Sequence, residues 1–347
     1  MTRLLSNRKA LAAALVLAVL FLLGLAGGAL GNEFGGGFLG SPLAHIQLPA
    51  EHVASGPIVG DFHVTNTMVA AWAAIALLAL VSFLATRRIR TVPGRLQNVL
   101  EILVEFFLNL AESVAGPEKA RRFLPLVMTI FLFVVTANWM GILPGFGTVG
   151  RFEPAEEVIH HAEKAAERSG DQVDLGKIKL QVFEGDGPVF LAFGSVGSEV
   201  TAEEAEGKRA GLLVPFLRSA NTDLNTTLAI ALVAMFMVHW WGLRTLGILG
   251  HLGKFINFRG GPIGLFVGVL EGISEIARVI SFTFRLFGNI FAGEVLLVAM
   301  AFLLPLVGLV PFLGLELFVG LIQAFIFAML TLVFAATATV SHEAEGH

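Results

Sequence analysis

One stretch of the sequence reads Ser281-Phe-Thr-Phe-Arg285-Leu-Phe-Gly-Asn289-Ile-Phe-Ala-Gly-Glu294 and sets a cation, an amide and a carboxylate within an apolar run. An ionisable side chain at bilayer depth costs at least about 2.5 kcal/mol, so such a residue usually serves a function and needs a partner. Arg285 could instead snorkel to the membrane interface or serve helix assembly. Because apolar sequence continues well beyond it on the C-terminal side, we favour a functional arginine inside the membrane.

The overall composition is that of a polytopic membrane protein. Hydrophobic residues make up 55% of the 347 positions and charged residues only 14%, with a mean hydropathy of +0.79. A soluble domain does not need so apolar a composition. The net charge of −4 offers no basic surface for nucleic acid. Because the chain has no cysteine, a disulfide framework, thiol catalysis and cysteine-ligated zinc are excluded.

The amino-terminal part allows two interpretations. Residues 1–31 hold a basic start and an apolar segment, which is either a secretory signal peptide or an extra membrane helix. Residues 32–66 then form a polar connector on the exterior. Three histidines lie in this connector, but their spacing follows no standard ligand motif, so we expect no metal site there.

Residues 67–149 are predicted to hold the first certain membrane helices. Apolar runs over 67–86 and 123–143 are long enough to cross a bilayer. Between them, residues 96–115 place apolar side chains at helical spacing, which predicts an amphipathic helix in the membrane interface. Arginines and lysines between positions 87 and 122 favour the cytoplasmic side for this loop.

Residues 150–211 differ sharply from the rest of the chain. They hold 13 of the 27 acidic residues, so they cannot lie in lipid and are predicted to form an exterior insert. We expect a short helix over 154–168 and a pair of strands at 178–183 and 189–193. His160 and His161 are consecutive and cannot share a helix face, so a solvated helix surface is favoured over a metal cluster.

Residues 212–347 contain the remaining membrane helices. A third certain span is predicted at 224–243, followed by two long apolar stretches, 261–303 and 312–340, that form a hairpin. Both stretches exceed the roughly 20 residues needed to cross a bilayer, so we expect strongly tilted helices. The predicted fold is therefore an all-α polytopic membrane protein with five to six membrane helices, one interfacial amphipathic helix and a small extramembrane insert.

A polar stripe marks one face of the first long helix. At about 100° per residue, six polar positions fall within about 40° of the direction of Arg285. A packing seam of small residues would explain the serines of this stripe but not Glu271 and Arg285. By the same arithmetic, Glu294 lies on the opposite face and would open to a different chamber. The stripe comprises Glu271, Ser274, Arg278, Ser281, Arg285 and Asn289.

The hairpin adds a symmetry between its two helices. A turn near residue 304 sets Arg285 level with Gln323 and Glu294 level with Glu316. Glu316 and Gln323 are seven residues apart and share one helix face. Two carboxylates at one level suit the passage of protons. They could also hold a cation or line a wet crevice.

The residues around Arg285 resemble subunit a of the rotary F-type ATP synthases, in which the pattern S-x-x-x-R-L-F-G-N-x-x-A-G-E surrounds an essential arginine. Two further segments carry the resemblance, Arg218-Ser-Ala-Asn-Thr-Asp-Leu-Asn-Thr-Thr-Leu-Ala and Leu321-Ile-Gln-Ala-Phe-Ile-Phe. It covers most of the chain outside the first 40 residues and the insert.

This resemblance implies a membrane stator of the Fo sector, with two proton half-channels meeting a ring of carboxylate-bearing subunits. Arg285 would stand between the half-channels and block direct leakage, with Ser281 in the same motif. The exterior half would contain Glu294, Glu316, Asn289 and Gln323, and the cytoplasmic side Glu271 and Ser274. The implied partners are the c-ring, the subunit b peripheral stalk and, indirectly, the F1 catalytic head, in a bacterial plasma membrane.

Several features limit or compete with this interpretation. No Walker loop, nucleophile triad or metal motif occurs, so ATP chemistry is expected in another chain, and neither cofactor nor metal in this one. Gly141 stands where some family members carry an aspartate, and the insert has no family role. The alternative is a proton-coupled secondary transporter of an anionic substrate, although the repeats and broken helices typical of transporters are not visible.

Overall fold

The computed structural model is dominated by α-helices. It describes residues 8–27, 50–53, 63–143, 145–169, 175, 178–182, 189–190, 199–205, 210–255, 261–303 and 306–340. The helices of this part are α1 Arg8–Gly27, α2 Asn66–Thr86, α3 Arg95–Ala115, α4 Pro117–Gly141, α5 Ala155–Ser169, α6 Leu224–Phe255, α7 Gly261–Leu303 and α8 Val310–Ala338.

Five helices in the described ranges are long and apolar enough to cross a membrane. They are α2, α4, α6 over Leu224–Gly253, α7 over Phe266–Ala301, and α8. The all-α polytopic fold predicted from the sequence is thereby confirmed. The apolar part of α1, Ala12–Ala26, is shorter. The remaining residues of the predicted leader, most of the connector and the carboxyl-terminal 341–347 lie outside the described residues.

The third span corrects the prediction at its carboxyl end. We expected it to finish at Leu243, but α6 extends to Phe255 and contains a break at Gly247, where φ is 72° and ψ is 170°. Glycine adopts this left-handed backbone without the steric cost that a β-carbon would bring. The residues after Gly247 therefore form a second, redirected segment of the helix.

The chain divides into two compact units. The insert unit comprises residues up to Val69, Gly141–Arg218 and Ala292–Leu317. The helical unit comprises Ala70–Met140, Ser219–Phe291 and the residues from Phe318 onwards.

The helical unit is built around a continuous apolar core. Phe107 of α3 is 1% exposed and lies 4.7 Å from Phe131 of α4 between ring centroids, and Phe282 of α7 lies 4.6 Å from Phe327 of α8. The amphipathic helix is thus present, with its buried face on this core, while its interfacial position stays a prediction. Fully buried alanines let the helix backbones approach closely, as is common between membrane helices. These are Ala111, Ala120, Ala231, Ala234, Ala324, Ala328 and Ala335.

The insert unit contains an antiparallel sheet in the order β3-β1-β5-β2-β4. Its strands are β1 Val149–Pro154, β2 Lys179–Val182, β3 Val189–Phe190, β4 Glu199–Thr201 and β5 Ala210–Pro215. The predicted helix appears as α5, and its Val158 and Ile159 pack on a core that includes Leu180 and Leu212.

The predicted pairing of the second and third strands is wrong. β2 pairs with β4 and β5, whereas β3 pairs with β1. The centre of the sheet is the ladder between β1 and β5, which runs from Gly150 opposite Pro215 to Pro154 opposite Gly211. Because this ladder joins the two ends of the insert, it separates β2 from β3.

Candidate functional site

Arg285 lies exposed on α7 in the helical unit. Its Nη2 donates to Ser281 Oγ, one turn earlier, at 3.5 Å. α7 also exposes large apolar side chains, and a cation exposed on a spanning helix needs a complementary partner. These apolar side chains are Ile273, Ile276, Ile280 and Phe284, each between 52% and 65% exposed.

The polar stripe changes in exposure along α7. Glu271, Ser274 and Arg278 are half-buried, whereas Ser281 and Asn289 are exposed like Arg285. Arg278 Nη2 lies 3.9 Å from Glu271 Oε1, so the acid at the start of the stripe has a cationic neighbour. Of the two arginines of the stripe, Arg285 is therefore the exposed one.

Asn289 and Gln323 are brought together within the helical unit. Asn289 Nδ2 donates to Gln323 Oε1 at 2.7 Å. Gln323 is only 3% exposed, and its Nε2 has no hydrogen-bond partner among the described residues. The hairpin symmetry set Gln323 level with Arg285, whereas Gln323 hydrogen-bonds to Asn289, one turn further along α7. The amide nitrogen is a buried donor available to water or to another polar group.

Two buried asparagines in the same unit were missed by the sequence reasoning. Asn138 of α4 donates from Nδ2 to Gly320 O of α8 at 3.1 Å, and Asn221 Nδ2 donates to Asn138 Oδ1 at 2.6 Å. Asn221 is fully buried and Asn138 is 3% exposed. The sequence contained a signal, because an asparagine close to the end of an apolar span needs a partner.

A histidine–carboxylate cluster in the helical unit was missed as well. His239 Nδ1 lies 3.2 Å from His251 Nε2, and His239 Nε2 lies 3.6 Å from Glu275 Oε2. Arg278 Nη1 donates to the other oxygen of Glu275. His239 and His251 meet because α6 is redirected at Gly247, and hydrophobic periodicity gave no sign of that break.

Glu294 forms a bidentate ion pair with Arg218 in the insert unit. Arg218 Nε lies 3.1 Å from Oε1 and 3.3 Å from Oε2 of Glu294, and Nη2 lies 3.1 Å from Oε2. The arginine side chain is 6% exposed and the glutamate 34%. Arg218 begins one of the segments that carry the family resemblance, but the sequence predicted no role for it. Two parallel charge-assisted hydrogen bonds fix the orientation of the carboxylate.

Glu316 lies beside the same part of α7. A β-carbon built on Gly293 would come within 2.2 Å of both Glu316 carboxylate oxygens, so this carboxylate rests against bare backbone. Glu316 is 8% exposed. The structure therefore places it next to the residue that precedes Glu294, close to the level that the hairpin symmetry predicted.

Glu51 completes the group of charges in the insert unit, and sequence reasoning missed it. Its Oε2 accepts a hydrogen bond of 3.0 Å from Asn66 Nδ2, at the first residue of α2. Burial raises the pKa of Glu51 to about 7, opposed by Arg218 and by the bond from Asn66, and reinforced by Glu153 and Glu294. Glu51 can therefore gain and lose a proton close to neutral pH.

Comparison with known proteins gives consistent matches. The family described as ATP synthase A chain matches residues 68–336. The chain is 27% identical over 300 residues to "ATP synthase subunit a" of Moorella thermoacetica, covering 86% of this chain and 100% of that protein. It is 30% identical over 278 residues to "ATP synthase subunit a" of Gloeobacter violaceus, covering 80% and 85%.

Proposed function

The chain belongs to the ATP synthase A chain family, and from this premise we propose that it is the Fo stator subunit in which Arg285 separates two proton half-channels at the face of a rotating c-ring. Proton translocation through this subunit is coupled to ATP synthesis in the catalytic head. The ATP chemistry itself belongs to other chains of the complex.

One observation carries the proposal, the exposure of Arg285 on a membrane-spanning helix that also exposes large apolar side chains. The guanidinium contacts Ser281, and exposed isoleucines and a phenylalanine lie elsewhere on the surface of α7. A monomeric membrane protein would leave this cation facing lipid at a cost of several kcal/mol. A ring of helices that carries carboxylates would cover this exposed part of α7 and supply the missing negative charge.

The electrostatics of such a contact are large enough to act as a barrier. At an effective dielectric constant near 20, a carboxylate about 4 Å from the guanidinium gains about 4 kcal/mol before desolvation is subtracted. The arriving ring carboxylate is thereby favoured in its ionised form, so it releases its proton before it passes Arg285. Arginine keeps its own proton under these conditions, so the barrier does not itself conduct.

The other polar residues are assigned to the access paths. On the exterior side, Glu294 and Glu316 exchange protons, while the amides of Asn289 and Gln323 can hydrogen-bond water or the passing ring carboxylate. On the cytoplasmic side, Glu271 and Ser274 receive the released proton, and Ser281 orients Arg285. The assigned partners are the c-ring, the subunit b peripheral stalk and, indirectly, the F1 head, in a bacterial plasma membrane.

The decisive test is Arg285→Ala in the complete complex. We expect loss of ATP synthesis and of ATP-driven proton pumping, normal assembly, and a passive proton leak through the two connected paths. The measurements are luminescence of newly made ATP and quenching of a pH-sensitive dye in membrane vesicles. Arg244→Ala is the matched control, since this exposed arginine lies over Trp240 with 4.9 Å to the ring centroid. Coupled synthesis by the Arg285→Ala complex would reject the proposal.

A further inference from the structure

Glu51 lies outside the spanning helices yet is built into the charge group of the insert unit. Its backbone oxygen accepts from Asn66 N at 3.0 Å, and its side chain accepts from Asn66 Nδ2 at 3.0 Å. Asn66 is fully buried, and Nδ2 also lies 3.2 Å from Pro215 O, at the end of β5. These bonds hold the carboxylate of Glu51 at the amino-terminal end of α2.

The charged groups around Glu51 come from three further segments. Arg218 precedes α6, Glu153 belongs to β1 and Glu294 belongs to α7, and all three act electrostatically on Glu51. The guanidinium of Arg218 that attracts Glu51 also binds Glu294 through three contacts of 3.1 to 3.3 Å. On its own segment, the rings of His52 and His63 lie 4.4 Å apart between centroids. Glu51 and Glu294 are thus carboxylates under the influence of one arginine.

Resting on the function proposed above, we infer that Glu51 is the outermost proton-exchanging residue of the exterior half-channel and passes protons from exterior water to Glu294. In each cycle the protonated Glu51 carboxyl releases its proton to the Glu294 carboxylate. Glu51 becomes a carboxylate and takes a new proton from exterior water. Arg218 remains charged throughout and holds Glu294 in place between transfers.

Two properties suit Glu51 to this role. It is half-buried, so its carboxyl meets both water and the interior of the unit. Its pKa of about 7 leaves it partly protonated near neutral pH. A proton-transfer group is most effective when its pKa is close to the working pH. A carboxylate with ordinary solvation would hold a proton only rarely under those conditions.

The test is Glu51→Gln in the purified complex, reconstituted into liposomes with the catalytic head outside, so that the lumen corresponds to the exterior. The amide oxygen of glutamine still accepts the bond from Asn66, but the side chain no longer titrates. Initial rates of ATP synthesis are measured at a fixed potassium diffusion potential and fixed outer pH, while the lumen pH is varied from about 5.5 to about 8.5.

We expect the Glu51→Gln rate to fall about threefold or more at lumen pH near 8 and to converge on the unaltered complex near pH 5.5, where bulk protons are abundant. Glu51→Asp should restore the profile in part. Glu203→Gln is the matched control, because Glu203 is an exposed residue of the same unit. Superimposable profiles, or a rate lowered equally at every lumen pH, would overturn the inference.

The same preparation separates the two proposals. If Arg285→Ala abolishes coupling while Glu51→Gln leaves the pH profile unchanged, the barrier function stands and the entry role of Glu51 is rejected. If Arg285→Ala remains coupled, the half-channel assignment itself fails, and with it the role of Glu51.

Discussion

The ion pair between Arg218 and Glu294 allows the energetics of the insert unit to be tested in detail. The pair combines three nitrogen–oxygen contacts between 3.1 and 3.3 Å with an arginine that is 6% exposed. Removing one partner of a buried pair costs about 3–5 kcal/mol, because the remaining charge is left without compensation. Glu294 is 34% exposed, so water would solvate part of its charge. We therefore expect about 2 kcal/mol for Arg218→Met.

A cycle of Arg218→Met, Glu294→Gln and the double substitution measures this coupling. Each single change should destabilise the chain, and the double change should be less destabilising than the sum by about 1–2 kcal/mol, because no buried charge is then left alone. The assay is an SDS titration of the detergent-solubilised chain, followed by circular dichroism. A cost of about 2 kcal/mol changes the unfolding equilibrium constant about thirtyfold, and the SDS titration can measure a change of this size.

Function should follow a different pattern from stability in this cycle. Glu294→Gln removes an exchanging carboxyl from one access path, so pumping should slow without a passive leak. The double variant should regain stability but not pumping. Arg151→Met, in β1 of the same unit, is the control and should cost less than about 1 kcal/mol, because no salt bridge of Arg151 occurs among the described residues. Strictly additive single changes would refute the idea that this pair couples energetically.

Two further outcomes are expected. Arg285→Lys should restore coupled ATP synthesis poorly, because lysine lacks the planar fork of arginine and can lose its proton when desolvated; synthesis rates near those of the unaltered complex would contradict this. Replacing residues 155–208 by a short Gly/Ser linker should leave proton pumping intact, because Pro154 and Gly211 are directly paired and need only a turn between them; loss of pumping in a normally assembled complex would show that the insert takes part in transport.

The membrane helices could be predicted from the sequence because their length and apolar content are local properties. The bounds of α7 agree with the predicted 261–303, and those of α8 lie within two residues of the prediction. The kink at Gly247 could not be predicted, since Gly242 and Gly250 lie in the same helix without such a break. The approach of His251 to His239 depends on this kink, so it could not be predicted either.

The charge group of the insert unit could not be predicted from the sequence for a different reason. Arg218 and Glu294 are 76 positions apart, and Asn66 and Pro215 are 149 apart. Helical periodicity relates residues only within a few turns, and hairpin symmetry relates only two neighbouring helices. The same limit explains the error in the sheet, where the central ladder joins β1 to β5 across the whole insert, while the prediction paired neighbours along the chain.

The contact of Glu316 with Gly293 also fixes the register of the long hairpin. Glycine at this position leaves the volume that the carboxylate occupies, since any β-carbon there would lie 2.2 Å from its oxygens. If α8 slid along α7 by one turn, the carboxylate would meet Leu297, which lies four residues along the same face of α7 and carries an apolar side chain. The small glycine therefore favours the one register in which Glu316 lies against position 293.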